Sequence, residues 1–407
     1  MNMKRAWTVA LVTIFAGVAL ALVQNKVAPC MVTLQNAFGI DMASAGWLSS
    51  LFSLVGIIMA IPASIILNKL GPKKSGILAL VCAIAGSLIG IFAGSVALLM
   101  ASRVIEGIGV GLISVIGPSI IAMWFPEAKR GLPMSIWAVY QMGAQAVMFF
   151  LAGVLTTAFG WQGMWWFGLA ACVVALVFYV ICVKSPRPED SYADVESPDV
   201  SIAEGMKSVP TWIMALVTFL FCMGCFGFVN WIATYWATVP SIGEGANMWV
   251  GYFSLAAVVA AIIMGTALNH IKNRKAFGAV ALVLYGVVAL FGMTLDNPTP
   301  LVVFTIVYGF MDAGFPCVLW TMTAQTVRRP ELAGVATGVV CIGFNAGILV
   351  GPPLIGAVAE SMGWTAAGWA IAACCLAAAV LLMFVRTYSA EEQGEPGAGA
   401  PAEAATE

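Results

Sequence analysis

The sequence predicts an all-α membrane protein with twelve transmembrane helices in two pseudo-symmetric six-helix bundles. Three observations predict it. Of 407 residues, 61% are hydrophobic and only 9% charged, whereas an average soluble domain carries about 25% charged residues; the mean hydropathy is +0.98. Apolar runs of the ~20 residues needed to cross hydrocarbon recur twelve times, without the alternating polarity of barrel strands. Short polar segments of the first half also return in the second, about 200 residues later.

The runs fall at approximately 7–34, 44–67, 75–95, 97–123, 131–156, 162–183, 211–237, 248–269, 276–295, 300–323, 332–358 and 364–386. The first follows Lys4 and Arg5 directly. It is too long for a signal-peptide core and has no small-residue cleavage site, so it reads as a span. Basic residues set the orientation. One set of connections and the two termini hold sixteen of the eighteen lysines and arginines, while the opposite connections hold only Asp41, Glu244, Asp296 and Glu360. Both termini are therefore expected in the cytoplasm, with the protein in the cytoplasmic (inner) membrane.

The domain reading follows from the connections: an N-terminal bundle over 1–183, a Pro- and acid-rich cytoplasmic linker over 184–210, a C-terminal bundle over 211–386, and a disordered tail over 387–407. Leu67-Asn-Lys-Leu-Gly-Pro-Lys-Lys74 after span two is echoed by Leu268-Asn-His-Ile-Lys-Asn-Arg-Lys275 after span eight. Pro126-Glu127 before span five is echoed by Pro330-Glu331 before span eleven. Duplicated halves suit a transporter that rocks around a central site.

Several function classes are excluded. A net charge of -1 with no basic stripe predicts no nucleic-acid partner. All ten cysteines lie in or beside apolar runs, and Cys222-Met-Gly-Cys225 stands in mid-span without a second pair, so these read as small buried hydrophobes. The single histidine, His270, sits in a polar loop beside Lys272, Arg274 and Lys275. No metal, no cofactor and no enzymatic centre are expected. Gly107-Ile-Gly109-Val-Gly111 follows no strand and is not a dinucleotide loop. Gly107, Gly111, Gly347 and Gly351 instead stand at the four-residue spacing that lets helices approach closely.

The motifs resemble those of the major facilitator superfamily. The loop after span two, Ser64-x-x-x-Asn68-Lys69-x-Gly71-Pro72-Lys73, resembles the family's Gly-x-x-x-Asp-Arg-x-Gly-Arg-Arg motif, with Asn68 in place of the aspartate. Arg103-Val-Ile-Glu-Gly107 resembles its Arg-x-x-x-Gly pattern in span four, and Trp124-Phe125-Pro-Glu-Ala-Lys-Arg130-Gly131 its approach to span five. The resemblance implies gating roles for Asn68, Lys69, Gly71 and Arg130, and for Asn269 at the echo in the second half. It also implies that spans one, four, seven and ten line a central cavity. Span five has no Gly-Pro motif of the proton-coupled drug antiporters. Asn25-Lys-Val-Ala-Pro29 and Gly160-Trp-Gln-Gly-Met-Trp-Trp166 are similar to segments of nitrate-, cyanate- and organic-anion-type members.

Only four charges lie inside the apolar runs: Lys26, Arg103, Glu106 and Asp312. Each costs roughly 2.5 kcal/mol or more to insert, so each marks structure or function. At 1.5 Å per residue, Lys26 lies roughly 7 Å and Arg103 roughly 10 Å outward of mid-span. The functional reading makes Lys26 and Arg103 ligands of a small organic or inorganic anion. Glu106, one turn from Arg103, pairs with it when the site is empty and takes a proton when the anion displaces it. The bland reading is a structural Arg103–Glu106 pair and a Lys26 that snorkels outward. Asp312 reads as a proton carrier or as the partner of a first-half cation. Gln141, Asn230, Tyr308 and Asn345 are polar groups able to orient a substrate, or merely to tie helices together.

The expectation is a monomeric secondary transporter in the lipid bilayer, with a small-molecule anion as substrate and protons as the coupling ion. The alternatives are efflux of cationic amphipaths, relying on Asp312 and Glu106, and a non-transporting sensor.

Overall fold

The computed structural model describes residues 3–59, 62–126, 129–184, 202–271, 273–388 and 392. Twelve helical segments in it are long and apolar enough to cross a membrane: Met3–Phe38, Met42–Met59, Lys69–Ile91, Val96–Trp124, Gly131–Phe159 and Gln162–Cys182 as spans one to six, then Val209–Thr238, Ala246–Ala267, Arg274–Gly292, Leu301–Thr326, Ala333–Met362 and Trp364–Phe384 as spans seven to twelve. The expected linker lies largely, and the expected tail almost wholly, outside the described residues.

Span one is longer than expected and is broken. Its α-helix stops at Asn25, a 3-10 turn covers Ala28–Cys30, and a second helix runs Met31–Phe38. Pro29 explains the break, because it has no N–H to donate and its ring crowds the carbonyl four residues back. The Cys30 thiol donates instead to the Lys26 carbonyl at 3.1 Å. The Val23 and Gln24 carbonyls fall in the last turn, where a helix has no partner of its own to offer them. Gly71 makes a second break. Its φ of +75° ends the helix that begins at Pro62 and starts span three, a left-handed conformation that glycine alone adopts without cost.

Lipid tails are as apolar as leucine, so helices here associate by close packing and hydrogen bonds rather than by hydrophobic burial. The spaced glycines supply that packing. Gly107 meets the backbone of Phe52 and Gly111 meets Met59, joining span four to span two; Gly347 and Gly351 meet Phe219 and Met223, joining span eleven to span seven. Larger residues at these positions would push the helices apart.

The chain carries a third echo between the halves. Span five ends at Gly160-Trp161 and span eleven at Gly363-Trp364, both glycines with positive φ. Each glycine N–H donates to the carbonyl four residues back, Thr156 in one case and Ala359 in the other. The halves meet where span two packs on span eleven and span five on span eight.

Candidate functional site

Three of the four charges within the spans come together in the first half. Lys26 Nζ lies 2.5 Å from Glu106 Oε1, and Arg103 Nη1 lies 2.7 Å from Glu106 Oε2. All three side chains are 0% exposed. The Ser87 hydroxyl donates to Glu106 Oε1 at 2.9 Å, and Lys26 Nζ donates to Ser87 Oγ at 3.3 Å while standing 4.3 Å over the Trp165 ring. Lys26 therefore does not snorkel to the surface. Its ammonium is held among spans three, four and six.

Arg103 has a further task that follows from the break in span one. Nη1 donates to the Val23 carbonyl at 2.8 Å and Nη2 to the Gln24 carbonyl at 2.9 Å, while Nε donates to the Leu48 carbonyl in span two at 3.1 Å. The guanidinium thus satisfies two carbonyls orphaned by the break and places positive charge at a helix C-terminus. Lysine lacks the planar fork for this. The cluster holds two cations against one carboxylate, an excess of one positive charge.

The second half treats its acid differently. Asp312 Oδ1 accepts from the Cys225 thiol at 3.4 Å, and among the described residues no lysine or arginine pairs with it. Neither first-half cation reaches it, since both are engaged by Glu106. Nearby, the Tyr308 and Tyr285 hydroxyls share a hydrogen bond of 2.5 Å, and the Tyr308 ring stacks on Phe228 with centroids 4.8 Å apart. Tyr308 is fully buried in this half. The described cysteines are all free, and no metal-binding group occurs among the described residues.

Between the halves lies a narrow crevice, lined on the first-half side by Gln24, Asn25, Ser49 and Gln145 and on the other by Phe226, Asn230 and Ile348. Its water-accessible space is about 20 Å³, room for about one water. Gln141 Nε2 donates to Gln24 Oε1 at 3.1 Å just beside it. Asn230 accepts from the Ser49 hydroxyl and donates to its own helix at Phe226. Gln145 Nε2 donates to Ser254 Oγ at 2.8 Å. Asn345 donates to the Cys341 carbonyl of its own helix, with its side chain packed against Gly56 of span two.

Of the expected site residues, Asn230 lines the crevice, Gln141 flanks it, Lys26 and Arg103 sit behind its first-half wall, and Tyr308 lies deep in the second half. Gln24, Asn25, Ser49 and Gln145 were not anticipated. A usable signal existed: Gln141 and Gln145 lie four apart on one helical face, and Gln24-Asn25 directly precedes the buried lysine.

The crevice is closed toward the face away from the chain termini. There the Met42 N–H donates to Glu360 Oε2 at 3.0 Å, Asn247 Nδ2 donates to the Pro29 carbonyl at 3.1 Å, and Gly46 packs on the backbone of Pro352 and Pro353.

Of the expected gating residues, Arg130 caps the end of span four, its Nε on the Phe125 carbonyl at 2.8 Å and Nη2 on the Ala122 carbonyl at 2.9 Å. Lys69 is exposed and Gly71 forms the break described above. The side chains of Asn68 and Asn269 lie outside what the structure describes.

Comparison with known proteins bears on this arrangement. The sequence profile of the Major Facilitator Superfamily matches residues 9–251 and 241–406. The chain spans 39%, 36% and 63% of the length of three MFS-type transporters it matches at 24–25% identity. Longer matches run to SauU of Cupriavidus necator, named for sulfoacetate transport (25% identical, 81% of this chain and 82% of the relative), and to NiaP of Bacillus subtilis, named for niacin/nicotinamide transport (24% identical, 77% of this chain and 78% of the relative). A shorter one reaches the lincomycin resistance protein LmrB of Listeria monocytogenes, 30% identical over 35% of this chain and 30% of the relative. The crystal structure of the nucleoside transporter NupG superposes with a TM-score of 0.75, covering 94% of this chain and 99% of that one at 14% identity, which is a likeness of fold.

Proposed function

This chain belongs to the Major Facilitator Superfamily, and we propose that it is a membrane transporter whose cargo is a small organic or inorganic anion carried together with a proton. The observation that carries the reading is the excess positive charge of the Lys26–Glu106–Arg103 cluster, set directly behind the Gln24–Asn25 wall of the crevice. A field of fixed sign in a water-poor site favours one sign of cargo, and charges act there over longer range than in water. The candidate ligands are the amides and hydroxyl of the crevice, Asn230 among them, with Gln141 and Asn345 on neighbouring parts of spans five and eleven. Lys26 and Arg103 act on the anion from behind that wall, and Tyr308 and Tyr285 shape the surroundings of Asp312.

Asp312 is the proton carrier in this reading. Across the whole interior its single negative charge offsets the cluster's single excess positive charge. Moving one monoanion with one proton leaves that balance unchanged, which keeps the loaded protein free of an added charge in hydrocarbon. Niacin, from the name of one relative, is a monoanion at neutral pH and fits this balance, whereas sulfoacetate, from the name of another, is a dianion and would need two protons for the same balance. The protein would work as a monomer in the cytoplasmic (inner) membrane, termini inward, with Lys69, Gly71, Arg130 and the two loop asparagines Asn68 and Asn269 at the termini-side gate.

The test is uptake into proteoliposomes of a panel of monocarboxylates, dicarboxylates, sulfonates, nitrate and cyanate, with and without an inward proton gradient. At least one anion should accumulate, faster with the gradient. Export of a cationic dye that depends on Asp312, with no anion moved, would replace this reading with efflux.

A further inference from the structure

Two hydrogen bonds cross between the halves at the crevice, and they share a polarity. Ser49 donates to Asn230 Oδ1, and Gln145 Nε2 donates to Ser254 Oγ. Both donors belong to the first half, which carries the excess positive charge, and both acceptors belong to the second half, which carries Asp312. The acceptors are fixed in that role by their own helix. Asn230 Nδ2 donates to the Phe226 carbonyl at 2.7 Å and the Ser254 hydroxyl to the Val250 carbonyl at 2.8 Å.

An anion accepts hydrogen bonds and has none to donate. It can therefore take Ser49 and Gln145 away from the second half, and it offers Asn230 Oδ1 and Ser254 Oγ nothing in return. We propose that Ser49 and Gln145 are anion ligands which, in the empty protein, are held by acceptors of the opposite half, so that arrival of the anion breaks both bonds and frees the halves to move apart. The Ser49–Asn230 bond lies one helical turn from Gly46, whose contact with Pro352 and Pro353 is part of the seal, and the Gln145–Ser254 bond ties the halves at mid-span beneath it, so releasing them loosens the seal on the face away from the termini. This inference rests on the anion reading above and assigns the residues through which the anion opens the seal.

The two partners of one bond give opposite expectations. Gln145→Ala removes both the bond and an anion ligand. Ser254→Ala removes the bond but leaves Gln145 free for the anion. Hydrogen–deuterium exchange on the full chain in nanodiscs, without substrate, should speed up about threefold in the segments Met42–Ser50 and Pro353–Met362 for either variant, the worth of one interhelical bond in a membrane. In proteoliposomes supplied with sulfoacetate and nicotinate as probes, Ser254→Ala should lower KM about threefold, because the anion no longer has to break that bond. Gln145→Ala should raise it about threefold, because the charge-assisted bond it loses is roughly twice as strong as the neutral bond it no longer breaks. Packing loss alone would move KM the same way in both.

Equal exchange in wild type and variants overturns the latch, and KM shifts of the same sign overturn the competition for its donors. A wild-type protein that moves no anion of the panel sinks the anion reading and the competition with it, and the exchange comparison still decides whether the two bonds hold the seal.

Discussion

The first half surrounds Glu106 with two cations and a serine hydroxyl, so that every polar atom of its buried cluster has a partner, whereas among the described residues the second half gives Asp312 a single thiol. The cost of burial explains what each can do. A charged group in a low-dielectric interior is tolerable when paired and bonded on all sides. A carboxyl without a cation loses little when it gains a proton. In the proposed reading the fixed cluster sets a field, and the lightly held acid is the one that changes its charge.

Substitutions separate these roles. Glu106→Gln should have the largest effect, since it leaves two buried cations facing each other; breaking a buried pair costs about 3–5 kcal/mol. The expected result is loss of monodisperse protein in detergent, read by fluorescence size exclusion. Adding Lys26→Met to that variant removes one of the stranded charges and should restore part of the yield, and no restoration would break the account of the cluster as a charge balance. Asp312→Asn comes next: gradient-driven accumulation should vanish while thermal stability stays within about 1 kcal/mol of wild type, as for a group with no charge partner to lose. A stability loss as large as that of Glu106→Gln would erase the contrast between the halves.

Arg103→Lys keeps the charge but not the fork over the Val23 and Gln24 carbonyls, and about 2 kcal/mol should be lost for the stranded backbone groups, seen as a lowered melting temperature. The smallest effect is expected outside the membrane. Asp41 Oδ1 accepts from the Ser44 N–H at 2.8 Å at the start of span two, and the Ser44 hydroxyl and N–H hold its carboxyl below the usual carboxylate range. A depressed value means that its contribution is present at neutral pH and fades as pH falls through and below about 4. Asp41→Ala should cost about 0.5 kcal/mol at pH 7, and the difference from wild type should shrink on acidification.

Much of this was legible before the structure. The spans stand out because charge is expelled from them, and the Arg103–Glu106 pair follows from a spacing of three on one helix. The convergence of Lys26 on the same carboxylate was not legible, because it depends on which faces of spans one and four meet. Pro29 announces a break, yet nothing in the sequence says that an arginine almost eighty residues later fills the exposed carbonyls. The crevice residues were obscure for a related reason. A serine or glutamine in an apolar helix can bond its own backbone, a neighbouring helix or a substrate, and only the packed arrangement puts Ser49 and Gln145 opposite acceptors of the other half.

The break in span one also bears on how the chain enters the membrane. Span one is made before span four, with Lys26 lacking its carboxylate and the Val23 and Gln24 carbonyls lacking donors, since Arg103 and Glu106 both arrive with span four. The nascent helix must wait in or beside the insertion machinery, where water or protein can cover those groups, until three more spans are synthesised. Assembly of the first half is thus a single event tied to the arrival of span four, and a chain truncated after span three should be recognised as unfinished and degraded.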